Sequence, residues 1–296
     1  MLINIFISIP LIQYGEFCRR AIYISSSVEH LTLIDLSKYL TQITLFIISF
    51  NLGFKSEKNI LFIYSISSLS TILLSIKYIP NLEVNIKSLM KTFRRNWVIS
   101  KWLLSTSVIQ WIQNNYLLFL SNVLLGPIAL GVIKVFQSIL GISHIILQSI
   151  SSWLPVKTSK ELVNNPSNFK KSISKVILIF WIILSSIFIL MIAFSKIILT
   201  IYDSSIVEYN KIFILYVFSY IIMSLNTPVK AVLVGIEKTF SSFLSIFLSA
   251  SIIIILGYPL VKTLGISGTA LTLISSQLII FTINIFFLKR NLYKIQ

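Results

Sequence analysis

The chain has 296 residues and a formal net charge of +16, yet 56% of its residues are hydrophobic and only 11% are charged. Its mean hydropathy is +0.90. About a quarter of the residues of a typical soluble domain are charged, so the composition excludes an ordinary soluble protein. The basic residues lie at the ends of apolar stretches rather than on one surface, which favours a membrane protein and argues against a nucleic-acid partner.

Nine apolar stretches follow one another along the chain, each long enough to cross a bilayer. Backbone groups in lipid must be satisfied within each segment, so we predict nine helices. The alternating segments of about ten residues that mark a transmembrane barrel are absent. The predicted fold is therefore an all-α, polytopic transmembrane helix bundle. The predicted spans are residues 2–22, 34–52, 59–79, 98–121, 127–153, 174–200, 209–234, 240–261 and 265–288.

Residues suited to catalysis are scarce. Cys18 is the only cysteine, which excludes a disulfide framework and a cysteine metal site. The nine acidic residues form no paired-carboxylate, metal-ligand or nucleophile–base signature, so we expect neither enzymatic activity nor a metal or cofactor. Only Glu16 and Asp35 lie away from loops and span ends. Glu16 precedes Arg19 and Arg20 by three and four residues, the helical spacing of a local ion pair.

Basic residues are distributed unequally between alternate gaps. One set of gaps carries 19 of the 25 Lys and Arg residues, the alternate set carries five, and Lys134 lies inside the fifth span. The 19 assigned to the first set of gaps include Arg19, Lys38, Lys157, Lys160 and Lys230. Because cytoplasmic loops are enriched in Lys and Arg, the first set and the C-terminus are predicted to be cytoplasmic, which leaves Met1 outside. An external N-terminus without an export signal is unusual, so we expect an odd number of helices upstream. The alternative is that segment 2–22 is miscounted or re-entrant.

The longest predicted cytoplasmic gap, residues 80–96, separates three spans from six. It is rich in charge and begins with Pro80 and Asn81, as an inter-lobe linker would. We therefore predict a first transmembrane lobe at residues 1–79, a cytoplasmic linker at 80–97 and a second transmembrane lobe at 98–296.

The fifth span carries a polar stripe. On a helical wheel of 100° per residue, five of its non-hydrophobic residues fall within a sector roughly 80° wide. Polar groups that face lipid are costly, so the stripe is expected to face protein or a water-filled cavity. Its members are Lys134, Gln137, Gly141, His144 and Gln148.

Lys134 lies seven residues beyond Pro127, roughly 10 Å along the helix. This depth favours a cavity-lining role, with snorkelling towards the membrane surface and a buried structural contact open as alternatives. In a cavity, the ammonium group would attract an anionic group such as a phosphate.

The fourth span has a matching polar face within about 100° of the wheel, formed by Thr106, Gln110, Gln113 and Asn114. Two adjacent antiparallel helices with polar faces suggest one wall of a hydrophilic cavity. The alternative is that these amides make interhelical hydrogen bonds that stabilise the bundle. The predicted substrate-binding residues are Gln110, Gln113, Asn114, Lys134, Gln137, His144 and Gln148.

Three parts of the chain carry motifs in a recognisable order. Residues 96–159 follow the basic residues Arg94 and Arg95 and begin with Asn96-Trp97. They continue through an LLGPIALG turn to Lys134 and Gln137 and close on Leu154-Pro155. A GIEK turn at 235–238 precedes a long helix and the LGISGTA turn at 264–270. With residues 16–38, these segments resemble bacterial polysaccharide flippases of the multidrug/oligosaccharidyl-lipid/polysaccharide exporter superfamily.

The resemblance implies two six-helix lobes around a central cavity, with both termini cytoplasmic. This chain would then contain helices four to twelve, with only a remnant of the first lobe. The resemblance also implies a location in the bacterial cytoplasmic membrane and the flipping of undecaprenyl-pyrophosphate-linked oligosaccharide for surface polysaccharide synthesis. The implied partners are membrane lipids, the lipid-linked oligosaccharide and other polysaccharide-assembly membrane proteins.

Two other functions stay open. A cation-coupled multidrug exporter of the same superfamily would be expected to carry carboxylates inside its helices, where only Glu16 and Asp35 come near. A membrane-embedded polysaccharide polymerase or glycosyltransferase would need a large extracytoplasmic or catalytic loop, and the predicted external gaps are all short.

Overall fold

A computed structural model describes residues 2–25, 28–53, 57–76, 78 and 86–294. Within these ranges the chain is helical and contains no strand. Two short 3-10 helices, Pro166–Asn168 and Ser204–Tyr209, lie between the longer helices. The α-helices are α1 (Leu2–Ser25), α2 (Val28–Asn51), α3 (Glu57–Ile76), α4 (Ile86–Asn164), α5 (Phe169–Ala193), α6 (Ser195–Tyr202), α7 (Asn210–Gly235), α8 (Thr239–Leu264) and α9 (Ile266–Lys294).

The predicted helix bundle is confirmed, because the described residues of all nine predicted spans lie almost entirely in helical segments. Seven helical segments of the described residues are long and apolar enough to cross a membrane. One of them, Leu89–Asn164, contains both the fourth and the fifth predicted span. The chain is thus a multi-pass membrane protein.

The two spans inside α4 are separated by a sharp break at Gly126. Its φ of 83° and ψ of 177° lie outside the helical region, and this positive φ is a conformation that glycine adopts at little cost. Residues 86–125 form the first arm of α4, and residues 127–164 form its second arm.

The chain divides into two compact units, Met1–Leu89 and Met90–Gln296. The first unit contains α1, α2 and α3. Within it, α1 approaches α3 at Gly15, where an added Cβ would lie 3.2 Å from the Cβ of Ser68. Residues 80–85 of the predicted linker lie outside the described residues, and from Ile86 onward the linker sequence is helical.

Hydrogen bonds between helices show how the second unit is arranged. Gln113 of the first arm donates to Ser249 of α8, and Thr239 at the start of α8 donates to the carbonyl of Ile99. The residue numbers of both partners increase from the first pair, Ile99 and Thr239, to the second, Gln113 and Ser249. The first arm and α8 therefore run parallel. A serine-rich face of α8, which includes the fully buried Ser249, permits this close approach.

The two ends of the second unit differ in charge. The hydroxyl of Ser159 donates to the carbonyl of Gly235 at 2.7 Å, so the second arm and α7 end side by side. We call the end of the second unit where these two helices end the basic end, and the opposite end the Gly126 end. Basic residues at the Gly126 end are Lys196, Lys211 and Lys262. Those at the basic end are Lys91, Arg94, Arg95, Lys101, Lys157, Lys160, Lys170, Lys171, Lys175, Lys238, Lys289 and Arg290.

Two sequence-based boundaries differ from the structure. The predicted span 174–200 is divided at Phe194 into α5 and α6, two residues before Lys196. Lys157 and Lys160, predicted to lie in a loop, belong to the last turns of α4, which continues through Pro155 to Asn164.

Candidate functional site

Both arms of α4, together with α7 and α9, enclose a polar cleft within the second unit. A cavity of about 390 Å³ extends from Lys134 to Gln277, and a second cavity of about 730 Å³ extends from His144 to Lys230. The two cavities share four lining residues, so we treat them as one continuous cleft. The shared residues are Gln110, His144, Met223 and Gln277.

The cleft is long enough to extend through most of a membrane. Along the second arm it is lined from Lys134 to Pro155, which corresponds to roughly 30 Å of helix rise. The hydrocarbon core of a bilayer is about 30 Å thick. Polar side chains over this length of an apolar bundle mark a candidate pathway for a polar group.

The structure places most of the predicted stripe in the cleft. Lys134, Gln137 and His144 line the smaller cavity, and Gln148 joins His144 in the larger one. Lys134 is exposed, and the surface that it lines is shared with amide side chains of the first arm. Lys134 therefore lies where the cavity-lining interpretation requires it, and its role in binding a substrate stays a prediction.

The polar residues of the first arm divide between two roles. Gln110 and Asn114 line the smaller cavity and face the second arm. Gln113 is buried outside the cleft, where its side-chain amide donates to the hydroxyl of Ser249 at 3.1 Å. Gln113 thus makes the interhelical hydrogen bond that was the alternative for this helix.

Sequence inspection of single spans missed the contribution of α7. Tyr220, Asn226, Thr227 and Lys230 all line the cleft. At 100° per residue they fall within a sector about 120° wide, which places them on one face of the helix. This spacing was visible in the sequence. Assigning Lys230 to the gap after its span was wrong, because Lys230 lies within α7 and faces the cleft.

The helix α9 adds Gln277 to the same cleft. No polar stripe in the sequence pointed to this residue, since its helical neighbours facing the cleft, Leu273 and Ile280, are apolar. Only the packing of α9 against α7 brings Gln277 to the site.

The charge of the cleft has one sign. Lys134 and Lys230 line it, and none of its lining residues among the described part of the chain is Asp or Glu. The ring of His144 lies edge-on to Tyr220, with 5.7 Å between the centroids. Across the described ranges, no three His, Cys, Asp or Glu side chains are close enough to bind a metal ion.

Buried hydrogen bonds fix the helices that form the cleft. Tyr216 and Thr269 share a hydrogen bond of 2.5 Å between α7 and α9. Further along the same pair of helices, Asn284 donates to Asn226 at 2.9 Å. On the other side of α7, the indole of Trp181 donates to the carbonyl of Leu225. These bonds keep α7 in register with both neighbours.

The membrane carboxylates of the first unit are in ion pairs. The guanidinium of Arg19 donates to both oxygens of Asp35, at 2.7 and 2.9 Å, and lies 3.9 Å from Glu16. The ammonium of Lys38 lies 2.6 Å from Glu16. The predicted contact between Glu16 and Arg19 is present, but the shorter contacts join α1 to α2. Assigning Arg19 and Lys38 to a gap between spans was wrong, because both lie within helices and face carboxylates.

Comparison with known proteins gives one family and one related structure. The profile of the MatE family matches residues 103–260, which include most of the cleft. The solved structure is described as the outward-facing conformation of a multidrug resistance MATE family transporter of the MOP superfamily. It is 13% identical, with a TM-score of 0.61 over 90% of this chain and 63% of that one. This chain therefore covers less than two thirds of that transporter. No curated protein sequence matches the chain.

Proposed function

The chain belongs to the MatE family of membrane transporters, and from that premise we propose that it moves a lipid-linked oligosaccharide with an anionic pyrophosphate group across the cytoplasmic membrane. The observation that carries this proposal is the charge of the cleft, which contains Lys134 and Lys230 but no carboxylate among its described lining residues. A cleft that is lined by lysines and lacks carboxylates among its described lining residues favours an anion over a cation.

The other cleft residues suit a glycan. Gln110, Asn114, Gln137 and Gln277 present side-chain amides to the cleft, and each amide both donates and accepts hydrogen bonds. Sugar hydroxyl groups need both kinds of partner when they leave water. An isoprenoid tail has no such need, so it would stay in the bilayer while the polar head passes through the cleft.

The two lysines lie towards opposite ends of the cleft. Lys134 is eight residues from Gly126, whereas Lys230 is five residues from Gly235 at the basic end. If the basic end faces the cytoplasm, as Lys and Arg enrichment indicates, Lys230 would receive the pyrophosphate group and Lys134 would contact it before release.

A vesicle assay tests this proposal. The protein is reconstituted with undecaprenyl-pyrophosphate-linked oligosaccharide, and the glycan that reaches the opposite leaflet is measured by its cleavage with an added glycosidase. We expect transfer above protein-free vesicles, with a marked loss in Lys134→Gln and Lys230→Gln and none in the control Lys196→Gln. Transfer no faster than in protein-free vesicles would overturn the proposal.

Cation-coupled multidrug export is the second candidate, favoured by the likeness in fold to a multidrug resistance transporter. A cationic drug would meet two lysines in the cleft, and the carboxylates Glu16 and Asp35 lie in the first unit in ion pairs with basic residues. Export of ethidium from cells that express the protein, lost in Glu16→Gln and Asp35→Asn, would support this candidate instead.

A further inference from the structure

A further polar cavity, which shares no lining residue with the cleft, lies at the basic end of the second unit. It has a volume of about 360 Å³ and is formed where the first arm of α4, the turn between α7 and α8, and the end of α9 meet. Its charged lining residues are Glu237, Lys238 and Arg290. Trp102 and Phe240 form an apolar wall on one side.

We propose that this cavity, the headgroup pocket, binds the phosphate of an anionic membrane phospholipid such as phosphatidylglycerol. The proposal does not depend on which substrate the cleft carries. Two features distinguish the pocket from a general basic surface, namely its local charge and its aromatic wall.

The local charge of the pocket is positive. Lys238 and Arg290 outnumber Glu237, and the ammonium of Lys101 lies 5.1 Å from the ring centroid of Trp102. The helix α8 begins at Thr239 with no side chain capping its first turn. A helix of 26 residues carries about half a positive charge at its N-terminus, which adds to the attraction for a phosphate. The planar guanidinium of Arg290 can donate two parallel hydrogen bonds to it.

The aromatic wall suits the part of a lipid just below its headgroup. Trp102 packs edge-on against Phe240 with 4.7 Å between the ring centroids, and it lies 5.0 Å from the ring of Phe243. Tryptophan is enriched where the hydrocarbon core meets the headgroups, because its ring is apolar and its N–H is polar. Phe240 is exposed, so an acyl chain can lie along this wall while the phosphate contacts Lys238 and Arg290.

The backbone of the turn fixes the direction of the charged side chains. Glu237 has a φ of 61°, a left-handed conformation that a residue with a side chain adopts at some cost. Its neighbour Lys238 donates its backbone N–H to the carbonyl of Leu233 at 2.8 Å, which ends α7. The position of Lys238 beside the first turn of α8 is therefore set by the turn itself.

The test uses the tryptophan as a reporter. The full chain is placed in detergent micelles, and quenching of its fluorescence is titrated with phosphatidylglycerol or phosphatidylcholine that carry identical brominated acyl chains. The contribution of Trp102 is taken as the difference between the wild type and Trp102→Phe. We expect stronger quenching of Trp102 at low concentrations of phosphatidylglycerol than of phosphatidylcholine.

Matched double variants separate the pocket from the rest of the basic end. Each basic residue near a charged lipid surface contributes about a fivefold change in affinity, so Lys238→Gln/Arg290→Gln should weaken phosphatidylglycerol binding about 25-fold. The control Lys171→Gln/Lys175→Gln removes the same charge from the exposed start of α5 and should leave the titration within about twofold of wild type. If the double pocket variant does not fold, Lys238→Arg/Arg290→Lys should retain the preference, and each single Gln variant should lose about fivefold.

Three results would overturn the proposal. Equal loss in the pocket variant and the control would indicate diffuse attraction to the basic end. Equal quenching by the two lipids would show that the headgroup charge is not recognised. Displacement of phosphatidylglycerol by inorganic phosphate at a similar concentration would identify a soluble anion as the ligand.

Discussion

The side-chain amide of Asn284 donates a hydrogen bond to the side-chain oxygen of Asn226, with 2.9 Å between the two atoms. Asn226 lines the cleft from α7, and Asn284 lies behind it on α9, fully buried. The side-chain oxygen of Asn284, Oδ1, is buried and has no hydrogen-bond partner within the described part of the chain. The pair therefore joins α7 to α9 through one hydrogen bond, while one buried polar atom of the pair stays without a hydrogen bond.

This arrangement predicts non-additive substitutions. Asn226→Leu leaves the amide of Asn284 buried without a partner and should lower the free energy of unfolding by about 1–3 kcal/mol. Asn226→Leu/Asn284→Leu removes both polar groups and should be more stable than Asn226→Leu alone. Thermal unfolding in detergent measures both. Costs that simply add would contradict the coupling between these residues.

The contact between α7 and the end of α4 predicts a second effect. A Cβ added to Gly235 would lie 2.7 Å from the carbonyl oxygen of Pro155 and from the Cβ of Thr158, distances that require the backbone to move. Gly235→Ala should therefore lower the melting temperature by several degrees, in line with about 1–3 kcal/mol for overpacking.

Gly131 provides the matched control, since an added Cβ there meets nothing within 4 Å. Gly131→Ala should leave stability unchanged or raise it by about 0.5–1 kcal/mol, because alanine favours a helix. If Gly235→Ala melts at the wild-type temperature, the close contact at the basic end is absent.

The sequence predicted the helices well and the cleft in part, for physical reasons that differ. An apolar stretch of sufficient length can only be a helix in lipid, so the helical character of the nine predicted spans follows from composition and spacing. The division of span 174–200 into α5 and α6 was not predicted. One helical wheel also places Lys134, Gln137 and His144 on one face. No wheel shows which helix packs beside another, and Gln277 could be found only from the structure.

Counting basic residues near span ends had a specific weakness. It treated Arg19, Lys38 and Lys230 as loop charges, whereas Arg19 and Lys38 pair with carboxylates across α1 and α2 and Lys230 lines the cleft. Such residues carry information about packing and function rather than orientation. The remaining basic residues of the second unit still lie mostly at the basic end.

The ion pairs of the first unit predict a stability effect. Asp35→Asn removes the bidentate partner of Arg19, and the pair is only partly exposed, at 34% for Arg19 and 22% for Asp35. The loss should be about 1–3 kcal/mol, below that of a fully buried pair. Glu29→Gln, at an exposed position near the start of α2, is the control.

The exchange Arg19→Asp/Asp35→Arg should recover part of this stability, because it restores opposite charges. A melting temperature for Asp35→Asn equal to that of Glu29→Gln would show that the pair contributes nothing. The same variants report on mechanism, since transport that persists in Asp35→Asn argues against coupling through this carboxylate.

The orientation of the chain has its own test. A reporter fused after residue 165, in the turn between α4 and α5, should be active in the cytoplasm, because the basic end is expected to lie there. A reporter fused at residue 205, between α6 and α7, should be active outside. The reverse pattern would invert the proposed order of contacts, with Lys134 first and Lys230 last.

The most direct measurement is the amount of surface glycan in cells whose only copy of the gene carries Lys134→Ala, with Lys196→Ala as the control at equal membrane levels of protein. Loss of a charge-assisted contact in the cleft should reduce delivery of the lipid-linked glycan about tenfold or more. The control should deliver as much as the wild type. Undiminished glycan in Lys134→Ala would contradict a substrate-binding role for the cleft.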